Sequence, residues 1–201
     1  ILDPAYPAAR LLDYLEIAEP KALLHLKAAG EVPAELRELL ERFSCPTLSL
    51  PNSSAPDLES FLDQYSSAAP AVKVGANDLA YISFTSGSTG KPKAVLGRHG
   101  PLTHFLPWWV ETFSFSESDR FSLFSALSHD PLHRDVFTPL MIGAAVLIPP
   151  EDWQLPGKGA RWMQENRISV SNLTPALGQV LTQGKAECPV DSLRYVFFVG
   201  E

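Results

Sequence analysis

LAYISFTSGSTGKPKAVLG, residues 79–97, joins two alternating apolar runs through a loop of small and hydroxylated residues. Between Phe84 and Val95 it holds two glycines, four Ser/Thr residues and two lysines. Glycine lets backbone N–H groups converge on an anion, hydroxyls add donors, and lysine supplies a compact charge, so phosphate is the natural ligand. The Walker pattern GxxxxGK(S/T) does not fit. Gly87 and Gly90 are too close, and Lys91 is followed by Pro92, which offers no magnesium-binding hydroxyl and no N–H to open a helix on the phosphate. A dinucleotide GxGxxG is absent from the stretch as well. A mechanical hairpin needs Gly or Asn but not six small residues in a row with two lysines, so a hairpin alone explains less of the sequence.

Outward from this loop, helix and strand patterns alternate. Leu11, Leu12 and Leu15 share a helical face, and a short apolar strand follows Pro20. PAELRELLERF from Pro33 has helical period, and TLSL from Thr47 is a strand. Residues 51–78 carry PNSSAPD, SSAAP and GAND around DLESFLDQY and read as a peripheral connection, where the internal boundary is placed. Beyond it FSLFSA, AAVLIP, RISVSNL and LRYVFFV are short and β-rich. They alternate with the helical candidates PLTHFLPWWVETF, HRDVFTPLMIG, GARWMQEN and PALGQVLTQG. That order predicts an α/β fold with layered, mostly parallel sheets flanked by helices, and a chain that stops at the carboxyl end of a strand, where ligands sit in such sheets.

Composition sets the outer bounds. A length of 201 residues predicts one compact unit with a full core. The formal net charge of -7 argues against a nucleic-acid surface, so an anion site has to be local. No apolar run reaches a membrane span. Cys45 and Cys188 form no CxxC pair, and a reducing, cytoplasmic compartment is expected. The opening ILDPAYPAARLL has no initiator Met and no signal-peptide pattern, and reads as cut from something longer. Trp108 and Trp109 in FLPWW are expected in the core.

SHDPLHRD, residues 128–135, is a second cluster of reactive side chains. His129, Asp130 and His133 suggest metal ligands, but Pro131 breaks the helical spacing and no further His or Cys completes a set, so no metal site is expected. Asp130 also suits a helix cap ahead of LHRDVF. An arginine in a pocket is costly unless paired, and its planar fork pairs best with a carboxylate.

TSGSTGKPK followed by a strand and His99 resembles the phosphate loop of the adenylate-forming superfamily, which includes acyl-CoA synthetases, luciferases and peptide-synthetase adenylation domains. ILDPAYPAARL and DSLRYVFFVGE resemble the segments that flank that loop in peptide synthetases. VLGRH, HDPLHRDVFTPL and LTPALGQ are similar to segments of fungal α-aminoadipate reductase adenylation domains. Ala94 departs from the usual Gly, a change that a strand tolerates.

The resemblance covers the whole chain and implies an incomplete core from the large N-terminal domain of an adenylate-forming enzyme. It divides into a leading α/β segment (1–50), the connection (51–78) and a phosphate-loop and substrate-pocket segment (79–201). It implies that Thr85, Ser86, Gly87, Ser88, Thr89, Gly90, Lys91 and Lys93 hold ATP phosphates, with Gly200 and Glu201 near the adenine and ribose. Asp130 would meet a substrate α-ammonium group and His129 would pack beside the reacting carboxylate. Pro131, Arg134, Asn172, Phe197 and Val199 would complete a pocket for an acidic, 2-aminoadipate-like amino acid. Magnesium ligands, a catalytic lysine and the small C-terminal subdomain would lie outside the chain, which assigns no catalytic residue of its own. The aminoacyl-AMP product would pass to phosphopantetheine on a carrier domain. An acyl- or aryl-CoA ligase segment and a non-catalytic nucleotide-binding fragment are the alternatives.

Overall fold

The structure, a computed structural model, describes residues 1–85, 91–125, 127, 131–183 and 189–200. The chain forms two compact units, Ile1–Arg98 and His99–Glu201. The single unit suggested by length thus resolves into two. Their division falls after the loop-bearing strands, later than the 51–78 connection at which the sequence placed its boundary.

In the first unit, α1 (Ala8–Ala18) buries Leu11, Tyr14 and Leu15, the face that its leucine spacing marks out. It stops at Glu19, whose left-handed backbone returns an N–H to the Leu15 carbonyl. Strand β1 (Leu23–Leu26) pairs in parallel with β2 (Thr47–Leu50), and the crossover between them carries α2 (Ala34–Arg42). Leu36, Leu39 and Leu40 of α2 close on the buried face of α1 with Cys45. A short helix, α3 (Leu58–Leu62), punctuates the connection. Next come β3 (Leu79–Thr85) and β4 (Lys93–Arg98), which pair antiparallel with Thr85 opposite Lys93. The Phe84 ring stacks on Tyr14 with centroids 3.9 Å apart, so the strand that leads into the loop is fastened to the first core.

The second unit opens with α4 (His99–Phe113) and builds a four-stranded parallel sheet in the order β6-β5-β7-β8. Its members are β5 (Arg120–Ser122), β6 (Ala145–Leu147), β7 (Val170–Leu173) and β8 (Tyr195–Phe198). Helices α5 (Pro131–Ile142), α6 (Lys158–Glu165) and α7 (Pro175–Thr182) make the successive crossovers. Strand alternation sorts the apolar residues into two clusters. Trp109, Phe115, Phe121 and Val170 pack in one, and Phe124, Met163, Ile168, Leu173 and Leu181 in the other. Trp109 is buried as expected, whereas Trp108 is half exposed.

At the amino ends of the strands, Asp119 is buried and accepts the Ser169 hydroxyl (2.7 Å), the Ser116 N–H (2.9 Å) and Arg194 Nη1, which lies 2.7 and 2.8 Å from its two oxygens. Burial pushes this carboxyl up. The Ser169, Ser116 and Arg194 donors outweigh burial and hold it below the ordinary carboxylate range. Residues flanking β5, β7 and β8 are thereby tied to one charge.

Two consequences are measurable. Gly159, in the first turn of α6, lies so close to α7 that a Cβ would overlap Leu181 Cδ2 and stand 3.0 Å from the Trp153 carbonyl. Overpacking of about 1–3 kcal/mol should exceed the helix-propensity gain of at most about 1 kcal/mol, so Gly159→Ala should lower stability in urea denaturation. An unchanged midpoint would show that Leu181 yields freely. For Asp119, a lowered folded-state pKa means stability that is complete above the unfolded value of about 3.9 and is lost as pH falls through the lowered value. Asp119→Asn should be less stable than the parent at neutral pH, with the gap closing as pH drops below about 4. A gap independent of pH would assign the loss to packing instead of charge.

Candidate functional site

The sequence's phosphate loop hangs between the last rungs of an antiparallel ladder. Thr85 ends β3 opposite Lys93 at the start of β4, so the strands that flank the loop finish and begin side by side. Thr85, Lys91 and Lys93 are exposed. Two cations and a hydroxyl at the base of one turn suit an anionic ligand with several oxygens. Ser86, Gly87, Ser88, Thr89 and Gly90 lie outside the described residues, as do His129, Asp130 and Glu201.

The second unit carries its own cavity, of about 400 Å³, at the carboxyl ends of the parallel strands. Strand order makes that position a consequence of topology. From β5 the chain crosses to β6 on one side and then to β7 and β8 on the other, so the connections leave in opposite directions and a crevice opens between the ends of β5 and β7. Phe124 and Ser125 follow β5, Trp153 and Gln154 follow β6, and Leu173 ends β7. Thr174 and Leu177 open α7, with Thr174 Oγ1 accepting the Leu177 N–H at 3.2 Å and Pro175 in the first turn. The cap that starts α7 therefore also fixes part of the cavity wall.

Four residues implied for the pocket, Pro131, Arg134, Asn172 and Val199, line this one cavity. Pro131 and Arg134 come from the first turn of α5, Asn172 from β7, and Val199 from the end of β8, where its N–H bonds the Leu173 carbonyl at 2.9 Å. Phe197 sits opposite Asn172 in the ladder and packs in the aromatic cluster, 4.5 Å from Trp109 and 4.7 Å from Phe113 between ring centroids. The Arg134 guanidinium lies 5.6 Å from the Trp109 ring centroid, so Trp109 touches both Phe197 and Arg134. Gly200 follows β8 with φ of 89°, a left-handed conformation that favours glycine.

Asp135, the neighbour of Arg134 on α5, has a fully buried side chain. Its carboxylate accepts the Ser125 hydroxyl, Asn172 Nδ2 at 2.8 Å and Arg134 Nε at 3.4 Å. Burial pushes this carboxyl above its ordinary range, and the Ser125, Arg134 and Asn172 donors offset only part of the shift. Arg134, 13% exposed, makes no hydrogen bond from its terminal nitrogens to another described residue. Asn172 Oδ1 is buried and has no hydrogen-bond partner among the described residues. One wall of the cavity thus carries a cationic fork, with an acceptor unsatisfied among the described residues buried in it. Among the described residues no three His, Cys, Asp or Glu side chains cluster to hold a metal, and no helix is long and apolar enough to cross a membrane.

Ser125 and Thr174 carried faint signals in the sequence, one at the end of a strand run and the other a Thr ahead of Pro at a helix start. Asp135 carried none. An acid beside an arginine on a helix looks like a solvated pair until the helix is docked.

The family model for the AMP-binding enzyme matches residues 1–201. L-2-aminoadipate reductase of Schizosaccharomyces pombe is 39% identical over all of this chain and 15% of its own length. The large subunit of L-2-aminoadipate reductase from Eremothecium gossypii is 42% identical, again over all of this chain and 16% of its own. The nonribosomal peptide synthetase FmoA3, in its form with bound α-methyl-L-serine-AMP, superposes with a TM-score of 0.75 at 25% identity, covering 98% of this chain and 21% of that one. This chain therefore spans about 15% of the length of its curated relatives. The α/β fold is that of the large N-terminal domain of adenylate-forming enzymes, and the chain belongs to the AMP-binding enzyme family.

Proposed function

We propose that this chain is the phosphate-loop and substrate-pocket segment of an amino-acid-activating adenylation domain, and that the amino acid carries a second acid group, as 2-aminoadipate does. The observation that carries the reading is Arg134. It is a nearly buried cation in a cavity wall whose terminal nitrogens make no hydrogen bond to another described residue, and a carboxylate is the group that fits a planar fork in two places at once. Relatives named as aminoadipate reductases, matching along the whole chain, point the same way.

In the reaction, one carboxylate oxygen of the amino acid attacks the α-phosphorus of ATP while the bond from that phosphorus to the bridging oxygen breaks and pyrophosphate leaves. A carboxylate is already nucleophilic at neutral pH, so the protein's task is position and charge neutralisation more than proton removal. Lys91, with Lys93 and Thr85 flanking the loop, would neutralise the charge that collects on the departing phosphates. Magnesium, when bound with the nucleotide, neutralises more of that charge. Pro131, Asn172 and Val199 bound the amino-acid side chain, with Phe197 beneath them and Arg134 holding its distal acid. His129 and Asp130, just ahead of α5, would flank the α-carboxylate and the ammonium group, and Gly200 with Glu201 the nucleoside. The adenylate would then pass to a phosphopantetheine thiol on a carrier domain, in a cytoplasmic parent.

Amino-acid-dependent exchange between ATP and pyrophosphate, measured in a complete adenylation domain carrying residues 1–201, tests this reading. Exchange should be driven by 2-aminoadipate in preference to neutral amino acids. Arg134→Ala should reduce that preference roughly 10- to 100-fold, as expected for losing about 1.5–3 kcal/mol of charge-assisted hydrogen bonding. Lys91→Ala should raise the KM for ATP and leave the amino-acid preference alone. A neutral amino acid as the best substrate, with Arg134→Ala indifferent, would keep the reaction and discard the acid-specific pocket.

A further inference from the structure

A side chain that is fully buried, ionisable and absent from the cavity surface calls for a physical reason. Asp135 is such a group. Asp119 sets the comparison, because it is buried almost as fully and its donors come from segments at the amino ends of the strands, where they hold β5, β7 and β8 together. The donors of Asp135 are distributed differently. Ser125, Asn172 and Arg134 come from three separate segments, and all three line the cavity. Asp135 therefore stands behind the wall and, among the described residues, its side chain bonds only to residues that form it.

Each bond fixes something that a ligand would meet. Asn172 donates through Nδ2, which leaves Oδ1 as the atom not yet satisfied. Were the amide reversed, two acceptors would face each other. Arg134 bonds through Nε, which engages the inner edge of the guanidinium and leaves both terminal nitrogens without a partner among the described residues. Residues adjacent in a helix point about 100° apart, so the Nε contact requires the Arg134 side chain to turn back toward its neighbour. Ser125 ties the loop after β5 to the same carboxylate. Burial pushes the Asp135 carboxyl above its ordinary range even with these donors in place. Holding it ionised thus works against stability, and a well-packed neutral group would serve a purely structural purpose as well or better.

We propose that Asp135 is a positioning residue of the pocket, holding the Arg134 fork and the Asn172 carbonyl oxygen in the orientation that receives an amino acid with a second carboxylate. The inference rests on the pocket reading given above. It adds a residue outside the cavity lining to the set that governs specificity, and it accounts for a buried charge that no strand pairing requires.

The test is the same exchange assay in a complete adenylation domain carrying residues 1–201, with thermal unfolding measured on each variant. Asp135→Asn keeps the shape, removes the charge and puts a donor where three donors converge. It should raise the KM for 2-aminoadipate about ten- to a hundred-fold while the KM for ATP stays unchanged and the unfolding midpoint does not fall. An unchanged KM for the amino acid would overturn the proposal. A lowered KM would overturn it too, because Asp135 would then be a competitor of the substrate for Arg134. Parallel losses in the amino-acid KM, the ATP KM and the unfolding midpoint would assign it a structural role. If Asp135→Asn does not fold, Ser125→Ala keeps the carboxylate and removes one donor. It should raise the same KM by a smaller factor, and no rise would sink the idea. The parent domain and Arg134→Ala report separately on the acid-specific pocket. Should a neutral amino acid drive exchange, the Asp135→Asn arm is run with that substrate, where a raised KM supports a positioning role through Asn172 alone and an unchanged one ends it. Absence of exchange with any amino acid would overturn both readings.

Discussion

Parallel strands cannot be joined by a tight turn, and that constraint arranges everything else in the second unit. Each return to the sheet needs a crossover, the crossovers here carry α5, α6 and α7, and the connections that leave β5 and β7 run in opposite directions and part between their carboxyl ends. The cavity is the space left by that parting. Its walls are what the chain meets on leaving each strand: Ser125 after β5, Trp153 after β6, Thr174 after β7 and Val199 after β8. Stability and recognition are thereby separated along the strand axis. Asp119 and Arg194 clamp the amino ends, where the strands enter the sheet, while the chemistry-bearing side chains gather at the carboxyl ends.

The first unit solves a different problem with a different pairing. A loop that has to hold an anion with backbone donors needs its two ends fixed close together, and an antiparallel ladder does this with the fewest residues. Thr85 and Lys93 are the last paired positions, and the Tyr14–Phe84 stack anchors the incoming strand to a helix whose leucines are already committed to the core. A hairpin and a phosphate loop are alternatives in the sequence. In the structure the paired strands are the frame on which a phosphate loop would be carried.

Helices and strands were legible because their periods are local. Leucines at 11 and 15, and at 36, 39 and 40, mark buried faces without any knowledge of what covers them. The parallel class of the second sheet followed from alternation alone. What could not be read was anything that depends on docking. Asp135 and Arg134 look alike on a helical wheel, but α5 lies against the sheet so that one is fully buried and the other reaches the cavity. The role of Phe197 depended in the same way on its neighbours, since a strand residue can line a pocket or support one, and its ring is packed among Trp109, Phe113 and Phe115. The division into two compact units was hidden for a related reason, because β3 and β4 form a two-stranded sheet of their own.

A nearly buried cation and a buried anion one residue apart raise the question of why the pair is kept at all. Two fully satisfied partners in an apolar wall would gain little over a hydrophobic pair of the same volume, and would leave nothing for a ligand. The observed pair is satisfied unequally. Asp135 collects three donors, whereas Arg134 gives it one long contact from Nε and keeps its outer nitrogens unused among the described residues. The anion's needs are met chiefly by neutral side chains, so the cation is oriented without being neutralised at its open edge. That imbalance is what a carboxylate-recognising pocket requires, because an arginine fully engaged by its own acid would have to break that pair before binding a substrate, and a free one would pay the entropy of ordering its long side chain. The wall of this cavity lies between those limits, and the residue that puts it there is one that a ligand would never touch.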